Sequence, residues 1–238
     1  MIYVTGDLHG LYDTMWKFDT QDFQNKVKPE DYIIICGDFG MLWKDGPEES
    51  KELDEFSDRV GTYLFVDGNH ENFPLIYKYP VEEWNGGLVH RIRPSILHLM
   101  RGQVYTIEGK KIFTMGGGTS IDKQWRVPGV SWWPEEIPSD EEKELALANL
   151  EKHDWKVDYV CTHAAPTDIH ERVLCRIGSH YKPVDLVTTF LQEINDKLEY
   201  KKWFFGHYHE DWTMNDKYEL LYTQIIPMYE EEEIIYEI

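Results

Sequence analysis

Short runs of Ile, Val, Tyr and Phe recur along the chain, several ending in Gly, Asp, Asn or His: "IYVTGD", "DYIIICGD", "TYLFVDGNH", "VDYVCTHAA" and "KKWFFGHYH". Runs of this length and β-branched content, bounded by turn residues, predict buried strands. Between the first three, residues 11–25 and 48–60 carry helical spacing, so the chain opens as a βαβαβ unit with parallel strands. A further helix is predicted over 72–79. The stretch "QVYTIEGKKIFTMGG" alternates as a hairpin joined at Glu108, Gly109 and Lys110. Ser139 followed by Glu142 is a capping-box pattern, and the helix behind it places Leu145, Ala148 and Leu150 on its predicted buried face. A late helix is predicted over 184–199, ahead of "WFFGHYH", and closing strands over the segment from Tyr218 onward. The acidic run Glu230–Glu233 reads as a solvated turn or strand edge. There is no repeat, low-complexity segment or evident linker.

Composition narrows the class. With 238 residues, 42% of them hydrophobic, the chain can bury the core of one domain spanning 1–238, and a disordered or fibrous chain is excluded. No run approaches the roughly 18 to 20 uncharged apolar residues of a membrane helix, and "MIYVTGDLHG" lacks a basic segment and a small-residue cleavage site. A cytoplasmic protein without a membrane partner is expected. The 3 cysteines show no CxxC spacing, so reduced thiols are the expectation. The formal charge of -20 disfavours a long nucleic acid, whose phosphates need many Lys and Arg partners. An anionic substrate then requires a local reversal of the field, and bound divalent cations are the usual means.

Five segments place oxygen and nitrogen donors directly after strand-like runs: Asp7 and His9, Asp38, Asn69 and His70, His163, and His207 with His209. In open α/β sheets, loops converge at the carboxyl ends of strands, so donors far apart in sequence can meet there. Gly6, Gly37, Gly68 and Gly206 each precede a donor or its neighbour, where the backbone must turn sharply or approach closely. Asp, His and Asn without thiolate suit manganese, iron or zinc better than a structural zinc finger, and manganese is the first expectation. Seven donors fit two ions. Two ions about 3.5 to 4 Å apart share a carboxylate, for which Asp38 is the candidate, and clamp phosphate oxygens during in-line displacement.

In order and content, the blocks D-x-H, GD, GNHE, H and GHYH resemble the calcineurin-like metallophosphoesterase superfamily, and the likeness runs in register from Asp7 to His209. The resemblance implies an α/β fold, a four-layer αββα sandwich of two mixed β-sheets flanked by helices, with a dinuclear centre at one edge. It further implies one ion on Asp7, His9, Asp38 and His209, and the other on Asp38, Asn69, His163 and His207. His70 then stands beside the phosphoryl group and protonates the leaving oxygen, while a hydroxide shared by the ions attacks. The substrate is a phosphomonoester or phosphodiester of a small molecule, nucleotide or short oligonucleotide. The competing reading, from another class, is a scaffold or regulatory protein that keeps the fold without catalysis.

Weaker signals surround this set. The protein serine/threonine phosphatase branch of the superfamily reads GDxxDR at the second block. Here "GDFGMLW" puts Met41 and Leu42 in those places, so another cation must grip the phosphate. Arg126 is the leading candidate, against an ordinary i,i+4 pair with Asp122. Arg101 is a second phosphate candidate, against a surface charge. Trp125, Trp132 and Trp133 form a stacking lid or fill core. Glu71 orients His70 or caps the helix after it. His90, His98, His153, His170 and His180 read as surface or hydrogen-bonded residues, and Cys36 and Cys161 as core.

Overall fold

The computed structural model describes residues 1–179 and 185–230. The first half runs β1 (Ile2–Thr5), α1 (Leu11–Phe18), α2 (Gln21–Lys26), β2 (Tyr32–Ile35), α3 (Pro47–Ser57), β3 (Thr62–Phe65), α4 (Phe73–Ile76), β4 (Val81–Trp84), β5 (Gly87–Arg93) and β6 (Ile96–Leu99). The second half runs β7 (Gln103–Ile107), β8 (Lys110–Met115), α5 (Asp140–Lys152), β9 (Tyr159–Thr162), α6 (Thr167–Arg176), α7 (Leu186–Asn195), β10 (Lys202–Phe205), β11 (Trp212–Met214), β12 (Tyr218–Leu220) and β13 (Ile225–Pro227). Among the described residues no helix is long and apolar enough to cross a membrane.

The strands form two mixed sheets, ordered β13-β1-β2-β3-β6-β5-β4 and β11-β12-β10-β9-β8-β7. In the first, β1, β2, β3 and β6 are parallel; in the second, β8, β9, β10 and β12 are. Because side chains alternate across a strand, each central strand feeds two cores at once. Ile34 and Cys36 face the opposite sheet, where they join Tyr105, Ile112, Cys161 and Phe204 in an inter-sheet core. Ile33 and Ile35 face outward and pack with Phe18, Leu53, Phe56 and Leu75 of the helices on that side. On the far side Trp203 and Phe205 of β10 meet Ala146, Leu150, Val173 and Leu191 of α5, α6 and α7. Three cores between four layers give the αββα sandwich.

Local chemistry sets the element ends. The predicted helix over 11–25 is two helices, because the Thr20 side chain accepts from the Phe23 N–H and starts a new one. The helix over 72–79 is a single turn capped by Asn72. The hairpin turns at Glu108 and Gly109, with Ile107 opposite Lys110 and both turn residues at positive φ (48° and 73°), the geometry of a two-residue loop. The α5 capping box is present, yet its buried residues are Ala146 and Leu150, whereas Leu145 and Ala148 are exposed. The helix is rotated from the predicted face because Ala146 lies against Gly102, where an added Cβ would come within 2.8 Å. In the late helix, α7 begins at Leu186; Val184, like His180 and Glu231–Glu233, lies outside the described residues.

A buried polar chain ties the layers behind β3. Asp67 is 1% exposed; its Oδ2 accepts from Arg101 Nε and Nη2 (2.9 and 2.6 Å), and its Oδ1 faces His98 Nε2 at 3.1 Å. Arg101 also donates to Glu142 Oε2 (2.9 Å) at the start of α5. Burial alone would raise the Asp67 pKa, but the Arg101 charge and the His98 contact hold it far below the carboxylate range. With a depressed folded pKa, this pair contributes its stability fully above the unfolded value of about 3.9 and loses it as pH falls through the folded value. Replacing Arg101 by Met leaves a buried carboxylate unpaired and is expected to cost about 3–5 kcal/mol at neutral pH, read from the urea midpoint. Glu142→Gln, at a half-buried rim, is expected to cost under about 1 kcal/mol.

Candidate metal centre

Five loops converge at the carboxyl ends of β1, β2, β3, β9 and β10, so both sheets contribute to one cluster. The first loop lies on the second: Leu8 N and His9 N both donate to Asp38 O (3.1 and 2.7 Å), and Gly10 N donates to Phe39 O (3.0 Å). On the other sheet, Gly206 N donates to His163 O at 3.1 Å. Glycine is required where these loops cross the carboxylates. A Cβ at Gly68 would sit 2.0 Å from Asp38 Oδ1, and one at Gly206 would sit 2.1 Å from Asp7 Oδ1. Four cluster residues occupy the left-handed region that side chains disfavour: His9 (φ 48°), Asp38 (46°), His207 (74°) and His209 (52°). Each such residue costs on the order of 1–3 kcal/mol, so the surrounding loops must enforce it.

The donors fall into two overlapping groups. Asp7 Oδ2 lies 3.1 Å from His209 Nε2 and 3.6 Å from His9 Nε2, and those two nitrogens are 2.9 Å apart. His163 Nε2 lies 2.9 Å from Asn69 Oδ1, 3.1 Å from His207 Nδ1 and 3.5 Å from Asp38 Oδ1. Asp38 reaches both groups, since its Oδ2 is 3.9 Å from His9 Nε2. One oxygen of each carboxylate is held by a backbone donor: Asp38 Oδ1 accepts from His70 N (2.7 Å) and Asp7 Oδ1 from His207 N (2.8 Å). Three sets, Asp7 with His9 and His209, His9 with Asp38 and His70, and Asp7 with Asp38 and His163, each bring their ligand atoms within 4.8 Å of one another.

These residues fit bound metal. His163 Nδ1 faces the Cys36 carbonyl at 2.9 Å, and a carbonyl only accepts, so Nδ1 carries a proton and Nε2 is the nitrogen left to serve as a ligand. Asn69 donates from Nδ2 to Ser120 Oγ (3.0 Å), which turns its Oδ1 towards that same nitrogen. Acceptors aimed at acceptors repel unless positive charge lies between them. His9 Nε2 and His209 Nε2 both border Asp7 Oδ2, a fully buried oxygen whose only neighbours of opposite character among the described residues are these two rings. Burial alone would push the Asp7 carboxyl up, but His209 and His9 hold it well below the usual range. Burial pushes His207 down, and the neighbouring His163 adds to the effect. Lys17, also buried, donates to the Asp7 carbonyl, and burial lowers its pKa to about 8 against the pull of Asp7 and Asp13. Tyr222 stacks on His209, with centroids 4.8 Å apart.

His70 shares the β3 loop with Asn69 and faces Arg126, whose Nη2 is 3.0 Å from Nδ1 and 2.8 Å from Nε2 of the ring. Burial holds His70 below its ordinary pKa; Asp38 opposes the shift and Arg126 adds to it. Arg126 makes the ordinary pair too, with Nε 2.8 Å from Asp122 Oδ1, and donates from Nη1 to the Ser131 carbonyl (3.2 Å). Beside His207 opens a cleft of about 560 Å³, bordered by Ser120, Ile121, Lys123, Gln124 and Leu174.

Other candidates go elsewhere. Arg101 is neither a phosphate contact nor a surface charge, but the buried partner of Asp67. Glu71 neither orients His70 nor caps a helix; its Oε1 accepts from Phe39 N at 2.7 Å, bracing the β2 loop. The tryptophans divide: Trp133 is buried edge-on to Trp43 (5.3 Å), Trp132 is half-buried, and Trp125 is 81% exposed. His90 and His98 meet through Nδ1 atoms 3.0 Å apart, and His170 Nδ1 contacts the Tyr208 hydroxyl (2.7 Å). Cys36 and Cys161 are buried free thiols. Lys17 and the braces Ser120 and Tyr222 were not distinguishable in sequence, since nothing in their local pattern marks the residue they touch.

A similar solved structure is the phosphopantetheinyl hydrolase from Mycobacterium tuberculosis, 16% identical, with 93% of this chain and 89% of that chain covered and a TM-score of 0.42. Among curated proteins none matches the chain. The model of the calcineurin-like phosphoesterases matches residues 1–211, a span that takes in the whole cluster from Asp7 to His209, and the chain belongs to that family.

Proposed function

We propose that the chain is a dinuclear metal-dependent phosphoesterase acting on a phosphomonoester or phosphodiester of a small molecule, nucleotide or short oligonucleotide. Family membership makes phosphoester hydrolysis the reaction class. The observation that carries the finer reading is the pair of donor groups sharing Asp38. Asp7, His9, Asp38 and His209 would hold one ion, and Asp38, Asn69, His163 and His207 the other. When bound, two such ions, manganese first with iron or zinc as alternatives, supply Lewis acidity and lower the pKa of a bound water from 15.7 towards about 7.

The chain's own residues do the rest. Arg126, aimed into the site by Asp122, contacts a phosphoryl oxygen, and a charge-assisted bond to a buried oxygen outweighs the partly exposed pair it leaves. His70, held between the cluster and Arg126, hands a proton from a ring nitrogen to the leaving oxygen. The cleft beside His207 suits the organic part of a small substrate, and the charge of -20 disfavours the backbone of a long nucleic acid.

Asp38→Asn is expected to lower bound manganese and turnover together, measured by elemental analysis after manganese loading and by hydrolysis of nitrophenyl mono- and diesters; full occupancy with unchanged turnover would contradict the shared carboxylate. His70→Ala should keep its metal and lose about 10²- to 10⁴-fold on alkyl esters, with a much smaller loss on nitrophenyl esters, whose leaving group needs no proton. Equal losses on both would remove His70 from the proton-donor role. Arg126→Ala is expected to raise KM and weaken inorganic phosphate binding by about 10-fold or more, the worth of a bond to a charged group. Unchanged phosphate affinity by calorimetry would leave Arg126 as a surface pair.

A further inference from the structure

An asparagine amide has nearly the same shape either way round, yet only its oxygen can face a cation; its NH₂ would repel one. Asn69 therefore needs something to fix its direction. The segment 116–120 lies flat over it: Gly117 N donates to Asp67 O (2.9 Å), and a Cβ on Gly118 would fall 2.9 Å from His163 Cδ2 and 3.2 Å from Asn69 Oδ1. Ser120, 2% exposed, follows and accepts from Asn69 Nδ2 at 3.0 Å.

A hydroxyl alone cannot set the amide, because it can donate as readily as accept. The Glu136 carboxyl, 1% exposed, lies against the same serine and accepts its backbone N–H at Oε1 (3.2 Å). The second carboxyl oxygen, Oε2, is buried without a hydrogen-bond partner, which leaves an acceptor for the hydroxyl proton of the serine beside it. A serine that gives its proton to Glu136 has only a lone pair to offer Asn69, and the amide must then present NH₂ to Ser120 and oxygen to the site.

Resting on the dinuclear reading above, we propose that Glu136 and Ser120 are positioning residues that act in series to set the Asn69 amide, and thereby the affinity of the ion held by Asn69, His163 and His207. Residues that orient ligands typically contribute 10- to 100-fold to metal affinity.

The test is a calorimetric manganese titration of the metal-stripped full chain. Wild type is expected to take up two ions. Ser120→Ala should weaken one step by about 10- to 100-fold, leaving the other step and the melting point of the metal-free protein unchanged, and Ser120→Thr should restore it. Glu136→Gln, equal in volume but able to turn an NH₂ towards the serine, should weaken the same step. In an Asn69→Ala background, Ser120→Ala should add no further loss, because both act through one amide. Two wild-type steps retained in Ser120→Ala, or losses that add in the double variant, would overturn the proposal. A wild type that takes up fewer than two manganese ions would instead remove the dinuclear reading and this inference with it.

Discussion

The arrangement rests on an electrostatic conflict: acceptor atoms of the buried residues Asp7, Asp38, Asn69 and His163 are gathered at the floor of the cluster, with His9 and His209 at its more open rim. His163 Nε2 faces Asn69 Oδ1 at 2.9 Å, and His9 Nε2 faces His209 Nε2 at the same distance. Left alone, the buried His163–Asn69 contact would open, since a buried polar atom without a partner costs about 1–3 kcal/mol. What holds them is not attraction within the cluster but fixation from outside it. The Cys36 carbonyl fixes the His163 ring, backbone amides of His70 and His207 each take one carboxylate oxygen, and Ser120 takes the amide of Asn69. A pocket fixed in this way from outside keeps its Asp and His groups close enough together to hold a metal ion.

Such strain can be sustained only on a stiff frame. The loops spring from strands whose residues are buried on both faces, such as Ile33, Ile34 and Ile35 in β2 and Trp203, Phe204 and Phe205 in β10. Each strand is gripped by the inter-sheet core on one side and a helical core on the other, so its carboxyl end has little freedom. The site takes donors from both sheets. Sliding one sheet on the other would therefore separate Asp38 from His163, and the inter-sheet core that prevents this includes Cys36 and Cys161, each two residues before one of them.

How much of this was legible in sequence depends on whether the signal was local. Donors after apolar runs, with glycine at the crossing points, are local, and they announced both the strand ends and the meeting of Asp7, Asp38, Asn69, His163 and His207. The hairpin at Glu108 was equally plain. By contrast β4, β5 and β6 escaped notice because charged residues interrupt "VEEWNGGLVHRIRPSILHL", although Asn85-Gly86, at φ 49° and 91°, is a two-residue turn signal that would have revealed the first hairpin. Helix α6 was also missed. The buried face of α5 was misjudged because hydrophobicity marked Leu145, while a tertiary feature, the bare backbone at Gly102, selected Ala146. Contacts between separate loops, such as Glu71 to Phe39 or Ser120 to Asn69, leave no trace in spacing.

The two arginines singled out in sequence show how magnitude separates a structural charge from one that can do chemistry. Arg101 is enclosed, its guanidinium shared among Asp67, Glu142 and the Glu135 carbonyl at 2.6 to 2.9 Å. Withdrawing it would strand a buried carboxylate at a cost of about 3–5 kcal/mol, more than contact with a ligand would return. Arg126 is bound just as closely in distance, but its carboxylate partner Asp122 is 47% exposed, and a pair of that kind is worth a few tenths of a kcal/mol. Its other contacts are one bond to the Ser131 carbonyl at 3.2 Å and the approach to His70, the residue nearest the reacting centre in the functional reading. A cation tethered so lightly, at the mouth of a site that otherwise offers carboxylates, can exchange its partner for a phosphoryl oxygen at almost no expense. Sequence distance said nothing of this difference, because it lies wholly in how much water each partner keeps.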